Sequence, residues 1–191
     1  FSFADKLTYE DTVDGGAGVD KLTMTAASLT TQFDKVSNIE TVAFDSSKSV
    51  AMDVSKLSAG VTTVEVDLVD SDSSQNHQLD ASTITNLGSQ TVVVKHSVAD
   101  NDGGNGADDG AADGVKLTIT PATDTSDDTV NVTLDAVSTV ALFKALDELA
   151  VGNYETVNIT NKKSTTVTAA EVATLTTSLA KSVTVSGDSD L

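Results

Sequence analysis

Cysteine and arginine are both absent from this chain of 191 residues, and each absence excludes a class of function. Without cysteine there are no disulfides, no thiolate metal ligands and no cysteine nucleophile. All 11 basic residues are Lys, and 29 acidic residues give a formal net charge of -18. Because such a surface repels polyanions, we expect no nucleic-acid partner and no anionic membrane surface as a partner.

Aromatic residues, proline and long apolar runs are also scarce. Aromatics make up 4% of the chain with no Trp, which argues against a stacking platform for bases or sugars. No run approaches the roughly 18 apolar residues of a membrane span, so direct membrane insertion is not expected. The chain opens on Phe1 rather than Met, and we expect a processed product or a piece of a larger protein.

Motifs for catalysis are missing as well. The chain contains no phosphate loop, no HExxH sequence and no GxSxG sequence, and its two histidines have no such companions. With 29 acidic residues, the spacing of any carboxylate pair is uninformative. The sequence therefore predicts no enzyme and no catalytic residues.

Thr, Val and Ser dominate the sequence, and β-branched residues favour strands. Short alternating runs, separated by Gly, Asp, Asn and Ser, predict a mostly β protein with many short strands. The runs are residues 21–25, 41–44, 61–66, 91–95, 116–120, 129–134, 156–160 and 182–185.

Two phrases recur along the chain. KLTMT at 21 returns as KLTIT at 116, and NIETVAF at 38 returns as NYETVNI at 153. Self-similar blocks of short strands favour a stacked architecture, so the predicted fold is a parallel β-solenoid, with a duplicated β-sandwich as the alternative. The predicted units are residues 1–100, which contain a glycine-rich turn, and residues 101–191, which contain an acidic loop and a helical insertion.

Three segments show helical spacing of apolar residues and predict one to three short helices. In residues 141–152, Leu142, Phe143, Leu146 and Leu149 share a face, and Gly152 is placed as a C-terminal stop. In residues 168–181, Thr168 and Glu171 fit a capping box, and residues 28–36 carry a similar apolar spacing.

Residues 15–23, GGAGVDKLT, match the nonapeptide GGxGxDxUx, in which a glycine-rich turn and an aspartate bind calcium before a short strand. The glycines allow a sharp turn that aims carbonyl oxygens at a cation, the Asp20 carboxylate adds charge, and Leu22 points inward. Asp11 and Asp14 precede the turn as the second half of an earlier repeat. Calcium takes about 6 to 8 oxygen ligands, so one turn is only half a site.

A second glycine-aspartate segment covers residues 100–114, DNDGGNGADDGAADG. Its GGxGxD match ends at Asp108, but Gly110 occupies the inward apolar position, which predicts a longer loop. The alternative is a flexible acidic loop without an ion. The further candidate ligands in this loop are Asp100, Asp102, Asp109 and Asp113. Six of the acidic residues in the chain are Glu and the rest are Asp, the acid that suits turns and hard cations, although acidic turns also keep a β protein soluble.

With these residues the chain resembles the RTX-type secreted proteins, specifically their Thr- and Ala-rich surface-layer (S-layer) branch. The similar phrases are GGAGVDKLTM, SNIETVAF, KLSAGVTTVEV and KSVTVSGDSDL. The resemblance implies type I secretion, folding outside the cell on meeting calcium, and assembly into lattices on a bacterial cell. It implies calcium as the cofactor, with Asp14, Gly16, Gly18 and Asp20, then Gly104, Gly106 and Asp108, as ligands. The shortage of tandem nonapeptides departs from a long regular β-roll.

We therefore expect a structural, calcium-stabilised module of a bacterial surface-layer or extracellular matrix protein. Its expected partner is itself, in a lattice or filament, with a cell-surface polysaccharide as a further partner, and its expected location is the bacterial cell surface. The alternatives are an RTX adhesin or ligand-binding module, and a piece of an RTX-associated hydrolase or epimerase whose catalytic cleft lies elsewhere.

Overall fold

The computed structural model describes residues 1–3, 7–8, 10–24, 28–29, 33, 35–46, 51–68, 80–96, 115–136, 144–162 and 171–187. These residues form sixteen strands and one 3₁₀ turn, Val54–Lys56. The strands are β1 (Ser2–Phe3), β2 (Val13–Asp14), β3 (Lys21–Met24), β4 (Ser28–Leu29), β5 (Val36–Ser37), β6 (Thr41–Ser46), β7 (Ala51–Asp53), β8 (Thr63–Leu68), β9 (Asp80–Leu87), β10 (Thr91–His96), β11 (Val115–Pro121), β12 (Thr129–Ala136), β13 (Lys144–Val151), β14 (Thr156–Lys162), β15 (Glu171–Thr177) and β16 (Ser182–Gly187).

Every strand pairing in the described residues is parallel. A large sheet has the order β1-β3-β6-β8-β10-β12-β14-β16, and a small sheet has the order β15-β13-β11-β9-β7-β4. From β3 onward, apart from β5, the chain alternates between these two sheets, and each strand pairs with the strand of the preceding round. β2 and β5 form a separate pair at the side. We call each round of the chain a coil; the arrangement is that of a β-solenoid-like stack.

The core lies between the inner faces of the two sheets. Alternation along each strand places one apolar residue per coil at the same inner position, so the coils build continuous ladders of buried side chains. In the large sheet one such ladder has exposures of 0–1% at Leu22, Val42, Val64, Val92, Val132 and Ile159. The small sheet contributes Met52, Ile84, Ile119 and Val151, which are also 0–1% exposed.

The sequence-based prediction of a mostly β, parallel stack is confirmed. All eight alternating runs coincide with strands, namely β3, β6, β8, β10, β11, β12, β14 and β16. The duplicated sandwich does not describe the chain, because sandwiches pair their strands antiparallel and these pairings are parallel.

The helix predictions are wrong wherever the structure describes them. Residues 144–151 form β13 and residues 171–177 form β15, both in the small sheet, and residues 28–29 and 36–37 are strands as well. Gly152 does not stop a helix; its N–H donates to the carbonyl of Ile119 and continues the ladder at 3.0 Å. Pairing of β13 with strands on both sides outweighs the helical preference of its Ala, Leu and Glu residues.

The two recurring phrases behave differently in the stack. NIETVAF and NYETVNI both enter the large sheet, as β6 and β14. KLTMT lies in β3 of the large sheet, whereas KLTIT lies in β11 of the small sheet, so these two are not equivalent positions. Both sheets continue across the boundary predicted at residue 100, which itself lies outside the described residues. The division into two units stays a prediction.

Candidate functional site

The glycine-rich turn at residues 14–20 joins the end of β2 to the start of β3. Gly16 has a φ of +83° and Gly18 a φ of +139°, which are backbone conformations that favour glycine. Gly15 is required for a different reason: a Cβ there would overlap the backbone carbonyl oxygen of Asn38 in the next coil. After the turn, Leu22 is 1% exposed, so the inward apolar position of the nonapeptide is confirmed.

Asp14 is bound by the protein itself. Its Oδ1 accepts a hydrogen bond from the backbone N–H of Gly16 at 3.0 Å and from Nδ2 of Asn38 at 2.7 Å. The side-chain bond from Asn38, followed by the backbone bond from Gly16, lowers the pKa of Asp14 below its ordinary value. Asp14 therefore stays a carboxylate and links one coil to the next.

The same arrangement occurs at Asp53, which is the last residue of β7 and is not next to a glycine-rich turn. Oδ1 of Asp53 accepts from the N–H of Ser55 at 3.0 Å and from Nδ2 of Asn86 at 2.8 Å. Asn38 and Asn86 both have positive φ, at 53° and 56°. Two aspartates thus accept one bond from the N–H two residues on and one from an asparagine side chain of the next coil. We call this arrangement a joint.

Asp20 lies at the other end of the glycine-rich turn and is fastened to Glu40. The N–H of Asp20 donates to Oε2 of Glu40 at 2.7 Å, and the carbonyl of Asp20 accepts from the N–H groups of Glu40 and Thr41 at 3.2 and 3.1 Å. Oδ2 of Asp20 lies 3.7 Å from the place a Cβ on Gly18 would take. The Asp20 carboxylate therefore lies beside the turn.

The hydrogen bonds between Glu40 and Asp20 are repeated in the second NxETV phrase. We call this arrangement, in which a glutamate side chain and backbone bind an aspartate of the preceding coil, a corner. Oε2 of Glu155 accepts from the N–H of Asp128 at 3.0 Å, and the carbonyl of Asp128 accepts from the N–H groups of Glu155 and Thr156 at 3.1 and 3.0 Å. Asn153 has a φ of +59°, as Asn38 has 53°. The residue after each asparagine, Ile39 and Tyr154, points into the core at 0% and 1% exposure. The sequence showed the repeated phrase, but the role of its glutamates was not predicted.

Asp11 is hydrogen-bonded to Thr8, which precedes it in the chain. Its Oδ2 accepts from the N–H and the hydroxyl of Thr8 at 2.8 and 3.0 Å. Asp128 binds Thr125 in the same way, at 2.7 and 2.5 Å, which lowers the pKa of Asp128. Both aspartates close a four-residue loop with a threonine, so Asp11 has a structural use.

The residues of the turn fit a calcium ion only in part. Asp20 supplies one carboxylate beside a turn of suitable backbone shape, but Asp11 and Asp14 are already bound by Thr8, Gly16 and Asn38. Within the described ranges, no three acidic or histidine side chains form a group that could hold a metal ion. The remaining predicted ligands, namely Asp100, Asp102, Gly104, Gly106, Asp108, Asp109 and Asp113, lie outside the described residues.

Charged residues on the outer face of the large sheet form one ionic cluster. Oε1 of Glu65 lies 2.5 Å from Nζ of Lys21 and 3.1 Å from Nζ of Lys95. On the small sheet, Lys116 faces Glu148 in register at 2.8 Å, which lowers the pKa of Glu148. These pairs join strands of different coils and neutralise part of the acidic surface.

The geometry thus defines a class: an acidic, parallel β-stack with repeated hydrogen-bonded corners. No described helix is long and apolar enough to cross a membrane. Compared with models of protein families, with curated proteins and with solved structures, the chain gives no match.

Proposed function

We propose that this chain is a structural, non-enzymatic module of a bacterial surface-layer or extracellular matrix protein, stabilised by calcium and self-assembling outside the cell. One observation carries the proposal: parallel strand pairing continues through the large sheet from β3 to β16. In such a stack each coil buries the apolar edge of its neighbour, so the fold is held by contacts between adjacent coils. A body of this kind suits a load-bearing or space-filling role.

Charge supports the extracellular and calcium parts of the proposal. A net charge of -18 destabilises a compact chain by self-repulsion, and divalent cations relieve that repulsion. A bound ion stabilises the folded chain by an amount that grows with the logarithm of its concentration over its dissociation constant. Extracellular calcium sites bind at about 10⁻⁴ to 10⁻³ M. Such a site would fill outside the cell and stay largely empty in the cytosol.

Within the described residues, the first candidate for calcium contact is Asp20 with the backbone of the turn around Gly16 and Gly18. Asp14 would hold the shape of the turn through Gly16 and Asn38 rather than act as the principal ligand. We therefore expect different effects from substituting the two aspartates. Loss of Asp20 removes a calcium ligand, whereas loss of Asp14 removes the hydrogen bonds that hold the turn to the next coil.

Thermal unfolding followed by circular dichroism tests the calcium part. We expect the melting temperature in millimolar calcium to exceed that in chelator, with magnesium at the same concentration giving a smaller rise. Asp20→Asn should reduce the calcium-dependent rise. Asp124→Asn is the matched control, because Asp124 is an exposed aspartate in the turn between β11 and β12. Equal melting in calcium and chelator would contradict the calcium part.

Residues 100–114 need their own variant, since the sequence predicts a second glycine-aspartate turn there. Comparison of Asp20→Asn with the double variant Asp20→Asn and Asp108→Asn shows which of the two segments binds the ion. If Asp20→Asn leaves the calcium response unchanged and the double variant abolishes it, the ion belongs to the loop and the assignment to Asp20 is wrong.

Light scattering and negative-stain electron microscopy of the wild-type chain test the assembly part. We expect ordered sheets or filaments on addition of calcium. A chain that stays monomeric at every calcium concentration while binding a polysaccharide would favour the adhesin alternative.

One observation favours that second candidate, a ligand-binding module. Nine registered positions on the outer faces of β12, β14 and β16 carry hydroxyl or amide side chains, and the charged residues Asp135 and Lys162 lie in register beyond them. The nine residues are Thr129, Asn131, Thr133, Thr156, Asn158, Thr160, Ser182, Thr184 and Ser186. A neutral polar face could accept a neutral glycan. Binding of cell-surface polysaccharide that is lost in Asn158→Asp would support this candidate.

A further inference from the structure

The two aspartates that form joints are followed by different residues. Asp53 is followed by Val54, whose side chain is buried in the core. Asp14 is followed by Gly15, and no larger residue fits there, because a Cβ on Gly15 would overlap the carbonyl oxygen of Asn38. The fold therefore requires the sequence Asp–Gly at the first joint. Within the part of the chain that the structure describes, no other aspartate precedes a glycine.

Asp–Gly is a chemically labile sequence. The backbone nitrogen of the glycine can attack Cγ of the protonated aspartic acid, since glycine has no side chain to shield its nitrogen. A C–N bond forms, the C–OH bond of the acid breaks, and the hydroxyl leaves with the amide proton as water. Water then opens the resulting succinimide at either carbonyl. One opening restores aspartate, and the other gives isoaspartate, in which the backbone runs through the former side chain.

The structure opposes each requirement of this reaction at Asp14. The nitrogen that would attack belongs to the N–H of Gly15, which donates to the carbonyl of Ser37 at 3.0 Å. The carboxyl group is fixed by its bonds from Nδ2 of Asn38 at 2.7 Å and from the N–H of Gly16 at 3.0 Å. The same two bonds lower the pKa of Asp14, whereas the attack needs the neutral acid.

This protection comes mainly from the next coil. Ser37 and Asn38 are successive residues at the end of β5, and β5 pairs with β2 through only two registered residue pairs, one of them Asp14 with Ser37. Short pairs of this kind can open locally without global unfolding. Asp14 is also exposed to solvent, so water can reach a succinimide formed there.

We propose that Asp14–Gly15 is an isomerisation site that the stacked coil at 37–38 keeps unreactive, with Asn38 as the residue that controls it. Opening of the joint frees the nitrogen and the carboxyl group together. Isoaspartate then lengthens the backbone by one methylene and shortens the arm that carries the carboxylate, so the original joint cannot re-form. The inference concerns the lifetime of the folded chain and does not rest on the proposed function.

Peptide mapping of aged wild-type protein tests the protection. Cleavage after Lys6 and Lys21 releases residues 7–21, a peptide in which Asp14–Gly15 is the one Asp–Gly sequence. Isoaspartate in this peptide is quantified by chromatography and located by electron-transfer fragmentation. With calcium in both samples, we expect isomerisation at least about tenfold slower in the folded chain than in urea, which corresponds to about 1.4 kcal/mol for opening the joint. Equal rates would overturn the inference.

Two substitutions test the role of Asn38. Asn38→Asp removes the donor but keeps the tolerance of positive φ, and Asn38→Gly does so without adding a carboxylate. We expect each to speed isomerisation at Asp14 by about fivefold or more, the factor that a joint weakened by about 1 kcal/mol implies. Circular dichroism checks that the variants are folded. If neither folds, the comparison of folded and urea-treated wild type still decides.

Asn86→Asp is the matched control, because it makes the same change in the joint of Asp53. Its isomerisation rate at Asp14 should equal that of the wild type. If Asn86→Asp and Asn38→Asp speed the reaction equally, the protection comes from global stability rather than from the joint, and the inference is overturned.

Discussion

Nδ2 of Asn38 donates a 2.7 Å hydrogen bond to Oδ1 of Asp14, across 24 residues of chain and between neighbouring coils. The bond from Asn86 to Asp53 repeats it at 2.8 Å across 33 residues. In both cases the asparagine has positive φ and the aspartate also accepts an N–H two residues on. The joint therefore fixes two turns at once, and it tolerates coils of different length.

Asn38→Asp should weaken this joint without disturbing the backbone. Aspartate tolerates positive φ nearly as asparagine does, so the change removes only the donor and places a second carboxylate beside Asp14. We expect a loss of about 1 kcal/mol in the free energy of unfolding at pH 7, measured by urea denaturation. The loss should shrink as the pH falls through the pKa values of the two carboxyl groups, because protonation removes their repulsion and restores a hydrogen-bond donor.

Asn131→Asp is the matched control for that variant. Oδ1 of Asn131 accepts a 3.0 Å bond from Nδ2 of Asn158, so an aspartate there keeps the acceptor. We expect little change in stability. Equal losses at Asn38 and Asn131 would mean that added charge, rather than the lost donor, is responsible.

The loss of stability at acid pH should depend on Asp53. The side-chain bonds from Ser55 and then Asn86 lower its pKa. A carboxylate whose pKa is lower in the folded chain contributes stability above its unfolded pKa, about 3.9, and loses that contribution as the pH falls through the folded value. We expect the melting temperature of Asp53→Asn to fall less steeply below about pH 4 than that of the wild type. Parallel curves would contradict a role for this carboxylate in acid unfolding.

Gly15 and Gly16 should respond differently to alanine although they are neighbours. A Cβ on Gly15 would overlap the carbonyl oxygen of Asn38, which is backbone of the next coil and cannot rotate away. A Cβ on Gly16 meets nothing within 4 Å, so only its φ of +83° is strained. We expect Gly16→Ala to cost about 1–2 kcal/mol in the free energy of unfolding, and Gly15→Ala to cost more. A larger loss for Gly16→Ala than for Gly15→Ala would show that the backbone at Asn38 shifts readily to make room for the Cβ.

The strands of the large sheet could be predicted from sequence because their alternation is unbroken. TVAF, TVEV and TVVV each place apolar residues at the inward positions, and TVAF and TVEV place small or polar residues at the outward ones. The small sheet was less visible. β9 was not predicted, and β13 and β15 were predicted as helices, since Leu146 and Leu149 are three residues apart. In β13 that spacing accompanies an irregular register between Lys144 and Leu146, which local sequence does not reveal.

For the candidate site, the sequence predicted the turn and the inward Leu22 but not the partners of the aspartates. Asn38 and Glu40 meet Asp14 and Asp20 only because one coil stacks on the next, and coil length varies. Asp20 and Glu40 are 20 residues apart, whereas Asp128 and Glu155 are 27 apart. With no constant period, only the repeated NxETV phrase could have pointed to the glutamates.

Glu155→Ala should show how much the repeated corner contributes. Glu155 is 7% exposed, and its Oε2 accepts from the N–H of Asp128, so alanine leaves a shielded donor without its partner. We expect a loss of about 1–3 kcal/mol in the free energy of unfolding by urea denaturation. Glu155→Gln keeps an acceptor oxygen and should lose less, while Glu40→Ala, at the more exposed twin corner, should fall between wild type and Glu155→Ala. If Gln and Ala at 155 are equally destabilising, the negative charge rather than the acceptor holds the corner. If Ala is neutral, the coils are held there by the backbone ladder alone.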